Sequence, residues 1–118
     1  MTSKELALTI AKMLIDKKAN DVQVMRIEDI SELADYFVIC TGMSSTHVRS
    51  LAEEVEARLS ERNIEPKHIE GHRSTSWILL DYTVVVLHVF YQESRDFYRL
   101  EHMWADAEKI DISALVGL

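Results

Sequence analysis

The chain has 118 residues, 47% hydrophobic and 28% charged, with 3 Gly, 1 Pro and 1 Cys, which excludes a fibrous, low-complexity or disulfide-scaffolded protein. Thirteen Lys and Arg against twenty Asp and Glu give a net charge of -7, so phosphate backbones and anionic lipid repel the chain and little or no direct nucleic-acid contact is expected. Cys40 has no partner for an internal bridge, the N-terminal segment lacks the pattern of a secretion signal, and no apolar stretch approaches the ~20 residues of a membrane span, so a reducing, cytoplasmic setting without membrane contact is expected.

Leu6, Ala7, Ile10, Ala11, Leu14 and Ile15 recur at helical spacing behind Thr2 and Ser3, either of which can cap the first turn, predicting an amphipathic helix over residues 3–18. Val22, Val24 and Arg26 alternate with Gln23, Met25 and Ile27 as in a strand, and residues 28–33 read as a polar turn. A second strand follows over 35–41, where Tyr36, Phe37, Val38, Ile39 and Cys40 are apolar on both faces, as an interior strand requires. Gly42 ends it, and Ser44 or Ser45 caps a long helix whose Val48, Leu51, Ala52, Val55 and Leu59 form one stripe. Residues 63–71, around the only proline, predict a loop with a short edge strand at 67–70. Residues 77–82 and 84–91 give the two strongest strand signals, so close together that a tight antiparallel hairpin around 81–84 is required. After Glu93 the pattern returns to helix, with Phe97, Leu100, Glu101 and Trp104 on one face, and residues 110–118 form a tail.

This order contains no repeat and no linker. It predicts a single α/β domain over residues 1–118, with a mixed sheet of about five strands flanked by helices, because strands apolar on both sides need covers on both faces.

The catalytic signals are weak. Thr41, Gly42, Met43, Ser44 and Ser45 run from a strand into a helix N-terminus, an arrangement that can hold phosphate but is more simply a serine-capped turn. A nucleotidyltransferase would need two acids two residues apart on the next strand to hold Mg²⁺, and only Glu70 and Asp81 are offered. His68, Glu70 and His72 tempt a metal assignment, but four residues of extended chain separate the histidines by ~13 Å, too far for one ion. His88 on an apolar strand face reads as a hydrogen-bonded core residue, and Cys40 as packing. No catalytic residue, metal or cofactor is therefore expected.

The surface signal is stronger. One face of the first hairpin strand carries Ile78, Leu80 and Tyr82, the other Trp77, Leu79 and Asp81. Two apolar faces need two covers, and the second is either the helix around residues 97–104 or another protein. Aromatic residues close to Asp81, Arg95 and Glu101 have the make-up of a binding hot spot, although a two-layer core uses the same residues.

Two blocks then resemble a known family. Ala34 through Gly42 with Ser44 and His47-Val48, and Glu70-Gly71, Trp77 through Tyr82, His88-Val89-Phe90, Arg95, Phe97-Tyr98, Leu100-Glu101, Trp104 and Asp106-Ala107, are similar to the ribosomal silencing factor family, also called Iojap-like. The resemblance covers about residues 4–108. It implies a nucleotidyltransferase-like α/β fold without the acidic pair and a non-enzymatic function. That function is binding to the large ribosomal subunit through ribosomal protein fourteen on the intersubunit face, which blocks joining of the small subunit and represses translation in nutrient limitation. It also allows a homodimer. The partner-binding surface implied comprises Trp77, Leu79, Asp81, Tyr82, Arg95, Phe97, Tyr98, Glu101 and Trp104, with Trp77, Leu79 and Tyr98 as apolar anchors and Asp81 and Glu101 pairing basic residues. A small nucleotide-binding enzyme using Ser44, Ser45 and Glu70 is the alternative. The family pattern has Gly and Asp in the hairpin turn where this chain has Thr83 and Val84. Because Thr disfavours positive φ, a different turn is expected.

Overall fold

In the computed structural model, which describes residues 1–71 and 76–116, Thr2 opens helix α1 (Ser3–Asp16) with a reciprocal capping box. Its hydroxyl accepts from the Glu5 N–H at 3.1 Å and the Glu5 carboxylate accepts from the Thr2 N–H at 2.7 Å, which satisfies donors that a helix start leaves open. Lys18, left-handed at φ 67, turns the chain out of the helix, and the chain enters strand β1 (Asn20–Arg26).

Strand β2 (Tyr36–Gly42) is buried at every position, as its continuous apolar run requires. It pairs antiparallel with β1 and parallel with β5 (Val85–Tyr91), which is buried from Val85 to Phe90. Ser44 caps the intervening helix α2 (Ser45–Ser60) by accepting from the His47 N–H. Gly42 lets that helix approach: a Cβ there would lie 2.7 Å from Val48 Cγ2 and 2.8 Å from the Val48 backbone nitrogen, distances no side chain tolerates.

Strand β3 (His68–Glu70) lies at the sheet edge, antiparallel to β4 (Trp77–Asp81), which pairs antiparallel with β5. The sheet has six strands in the order β3-β4-β5-β2-β1-β6, one more than the sequence predicts. The addition, β6 (Glu108–Lys109), is two residues pairing with Met25 and Arg26 of β1, too short to leave an alternation. The helix predicted after Glu93 is broken into α3 (Gln92–Tyr98) and α4 (Leu100–Met103) by Arg99, left-handed at φ 52. Helix α5 (Ser113–Val116) closes the described chain.

The two sheet faces are covered unequally. Helices α1 and α2 bury Leu6, Ile10, Leu14, Leu51, Val55 and Leu59 against Val38, Ile78, Leu80 and Leu87. The other face, with Met25, Phe37, Ile39, Val86 and Phe90, is covered by the strap of residues 92–107 through Leu100, Trp104 and Ala107. No helix among the described residues is long and apolar enough to cross a membrane.

The hairpin turn departs from expectation. Thr83 takes φ 73 despite its branched Cβ, the Val84 N–H donates to the Tyr82 carbonyl at 2.9 Å, and the Tyr82 N–H donates to the Val85 carbonyl. This is a γ-turn around a left-handed threonine, a conformation of order 1–3 kcal/mol above the usual ones. Asp81 Oδ1 holds it by accepting from the Thr83 N–H at 2.7 Å. Thr83→Gly should therefore stabilise the fold by about 1 kcal/mol, the relieved strain exceeding the entropy that glycine adds to the unfolded chain; a denaturant midpoint unchanged or lowered would show that the turn is unstrained.

A candidate partner-docking face

On β4 the alternation sends Ile78 and Leu80 into the helix-covered core and leaves Trp77, Leu79 and Asp81 half-buried on the strap side. The register sets Leu79 opposite His88 and Trp77 opposite Phe90, so Trp77 and His88 are diagonal neighbours on one face. The indole lies over the Phe90 ring at 4.9 Å and 27°, and its Nε1–H donates to His88 Nδ1 at 3.2 Å. His88 meets Phe37 edge-on at 4.7 Å, and Phe37 meets Trp104 edge-on at 5.6 Å. The result is a continuous aromatic sheet surface whose two ends, Trp77 and Trp104, reach water.

His88 is 4% exposed. Burial alone pushes its pKa down to about 4, so the ring is neutral and, with Nδ1 accepting, carries its proton on Nε2, a buried atom with no hydrogen-bond partner among the described residues.

The strap is fixed by Arg95, itself 3% exposed. Its NH1 donates to the Asp21 carbonyl and to Thr41 Oγ1, each at 2.7 Å, its Nε donates to Glu101 Oε2 at 3.1 Å, and NH2 lies 3.1 Å from Asp21 Oδ2. One guanidinium thus ties β1, β2 and α4 together, a use its rigid fork suits.

The predicted surface residues separate accordingly. Trp77, Leu79, Asp81, Glu101 and Trp104 sit on the strap side, each partly exposed. Tyr82 does not join them: it is 6% exposed and belongs to the helix-side core, following the parity of Ile78 and Leu80. Arg95 is likewise interior, its Nε and NH1 donors bonded within the chain and its NH2 in ion-pair range of Asp21, and Glu101 already gives it one carboxylate oxygen. The side chains of Phe97 and Tyr98 lie outside those described, as does His72.

The other chemistry-bearing residues have structural uses. His47 Nδ1 accepts from the Met43 N–H at 2.9 Å and its Nε2 pairs with the Lys17 carbonyl at 3.1 Å, so the turn around Ser44 is tied up by its own chain. Glu70 pairs with His68 at 3.2 Å. Cys40 is fully buried, its pKa pushed up to about 12 by burial against the smaller opposing pull of Arg95, so it stays a packed thiol. Among the described residues no three His, Cys, Asp or Glu are grouped to hold a metal. One concavity of about 670 Å³ is lined by Arg95, Asp96, Arg99, Glu101, His102, Ala105 and Lys109, a charged open hollow rather than an apolar ligand pocket.

Sequence reasoning missed the bond between Trp77 and His88, which only the hairpin register reveals. It also misplaced Arg95, whose partners Asp21 and Thr41 lie 74 and 54 residues away in sequence and meet it only in the folded chain.

Two predictions follow from these buried groups. Arg95→Ala should cost about 3 kcal/mol, through the stranded Thr41 hydroxyl and the loosened strap, and a melting temperature near wild type would refute the hub. His88 binds a proton more weakly folded, at about 4, than at its ordinary 6.5. Its neutral burial therefore contributes fully above pH 6.5, and stability falls by about 3 kcal/mol as pH drops from 6.5 toward 4. His88→Leu should lose that component, seen as a flatter difference in unfolding free energy against pH.

Comparison with known proteins places the chain in a family. The model of a family described as "Ribosomal silencing factor during starvation" matches residues 1–117. The ribosomal silencing factor RsfS of Halalkalibacterium halodurans is 35% identical over 117 residues, 99% of this chain and 100% of that protein. That of Bacillus subtilis is 38% identical over 112 residues, 95% of each chain. A crystal structure of a Chromobacterium violaceum protein superposes with a TM-score of 0.86 at 29% identity, covering 96% of this chain and 93% of that one.

Proposed function

Because this chain belongs to the ribosomal silencing factor family, we propose that it binds the large ribosomal subunit through ribosomal protein fourteen on the intersubunit face, obstructs joining of the small subunit and so represses translation. The reading is non-enzymatic and cytoplasmic, in keeping with relatives named as silencing factors.

The observation that supports it best is the half-covered aromatic face. Trp77 and Leu79 are large apolar side chains that stay half-buried on the strap side of the sheet, beside the carboxylate of Asp81 and a shallow depression lined by Glu70, Gly71, Trp77 and Leu79. Aromatic anchors ringed by acid suit a basic protein partner. The net charge of -7 draws the chain toward such a protein and away from bare RNA.

Sedimentation of the protein with separated ribosomal subunits tests this directly. Co-migration with the large subunit and loss of joined ribosomes is the expected result, and protein left at the top of the gradient with normal joining would overturn it. Trp77→Ala and Asp81→Asn should each weaken binding by ~1 to 4 kcal/mol with the fold intact. The second keeps an oxygen for the Thr83 N–H while removing the charge, so wild-type affinity in both variants would exclude this face. Binding should also weaken as salt is raised.

A further inference from the structure

We propose that His88 is a positioning residue for the docking face: by accepting the Trp77 indole N–H it fixes the ring in the pose that a partner meets. This rests on the reading of Trp77 as an anchor and names the group that sets its geometry.

The bond is 3.2 Å long and joins a half-exposed tryptophan to a histidine 4% exposed. The imidazole is held on its other sides, edge-on to Phe37 at 4.7 Å and parallel to Phe90 at 6.2 Å and 9°. Its strand neighbours across the sheet are Ile39 and Leu79. The acceptor is therefore rigid, and an indole bonded to it loses the freedom to turn about its own side-chain torsions. A pre-oriented anchor surrenders less entropy on binding than a free one.

The choice of residue at position 88 is the strongest part of the argument. All strand neighbours on this face are apolar, and leucine or phenylalanine would fill the same space without burying nitrogen. Histidine here leaves Nε2 buried and without a partner among the described residues, a net loss to folding. What the imidazole supplies and an apolar residue lacks is the acceptor for Trp77. The fold thus gives up stability at a position whose one polar contact orients a surface tryptophan, the pattern expected where function sets the residue.

The test uses the full chain. His88→Leu should fold with a melting temperature at or above wild type, shift the Trp77 indole N–H proton resonance, identified by its absence in Trp77→Phe, and bind the large subunit about tenfold more weakly. His88→Asn, whose Oδ1 lies near the place of Nδ1, should recover much of both the resonance position and the affinity, which a merely space-filling role would not produce. Binding by His88→Leu within about twofold of wild type, or an indole resonance that does not move, would overturn the proposal. If His88→Leu fails to fold, His88→Phe makes the same comparison, and failure of both would make His88 a requirement of the fold and overturn the positioning role. Wild-type protein that does not sediment with the large subunit would remove the functional reading and this role with it, whereas wild-type binding with an unaffected His88→Leu removes the role of His88 alone.

Discussion

The buried guanidinium of Arg95 is the constraint on which the strap side of the molecule depends. Its bonds reach the carbonyl of Asp21 on β1, the hydroxyl of Thr41 on β2 and the carboxylate of Glu101 on α4. A charge 3% exposed is tolerated only when its donors are matched, and matching them dictates backbone on both sides. Asp21 takes a left-handed φ of 46 at the irregularity in the pairing of β1 and β2, which turns its carbonyl toward the arginine. Arg99 takes φ 52 and donates its N–H to the Arg95 carbonyl, which folds the strap back so that Leu100 and Trp104 reach the Phe37 face. The position of the half-buried aromatic face is a consequence of where this one cation is held.

The sheet explains why such a face exists. Strands β2 and β5 are buried almost throughout, so both sides need cover. Two long helices supply one side with a continuous apolar layer. The other side receives a broken strap that packs Trp104 against Phe37, and Trp77 and Leu79 stay half-buried there. Full burial of such a side chain is worth roughly 1.5 to 3 kcal/mol, part of which each of them forgoes. That apolar area left half-open beside acidic groups is a feature of surfaces that meet another protein.

Most of the fold was legible because its signals are local and periodic. The stripe from Val48 to Leu59, the two-faced apolar run of β2 and the hairpin strands each follow from spacing alone. What escaped was set by contacts distant in sequence. The break at Arg99 answers to Arg95 and Leu100 rather than to any glycine or proline, and β6 exists only because β1 offers it an edge. Within the site, Trp77, Leu79 and Asp81 could be placed on one side by parity, and the same parity would have excluded Tyr82. The interior position of Arg95 was not readable, because its partners Asp21, Thr41 and Glu101 converge only in the folded chain.

The departures from local preference are not spread evenly. Lys18 and Asn63 are left-handed, but both end helices, and the residues after them close the helices by donating to the Leu14 and Leu59 carbonyls, an ordinary C-terminal arrangement. Arg99 likewise ends α3, its N–H donating to the Arg95 carbonyl, whereas the left-handed Asp21 and Thr83 end no helix. Asp21 grips Arg95 and Thr83 forms the turn that Asp81 braces. The unpartnered Nε2 of His88 lies on the same side of the sheet, beneath Trp77. Among the described residues the helix-covered side, optimised for burial, has the Tyr82 hydroxyl as its one comparable cost. Among the described residues, four of the five buried polar atoms without a hydrogen bond, Gln23 Oε1, His88 Nε2, Arg95 NH2 and Glu101 Oε1, thus lie on the strap side, a distribution that burial alone does not explain.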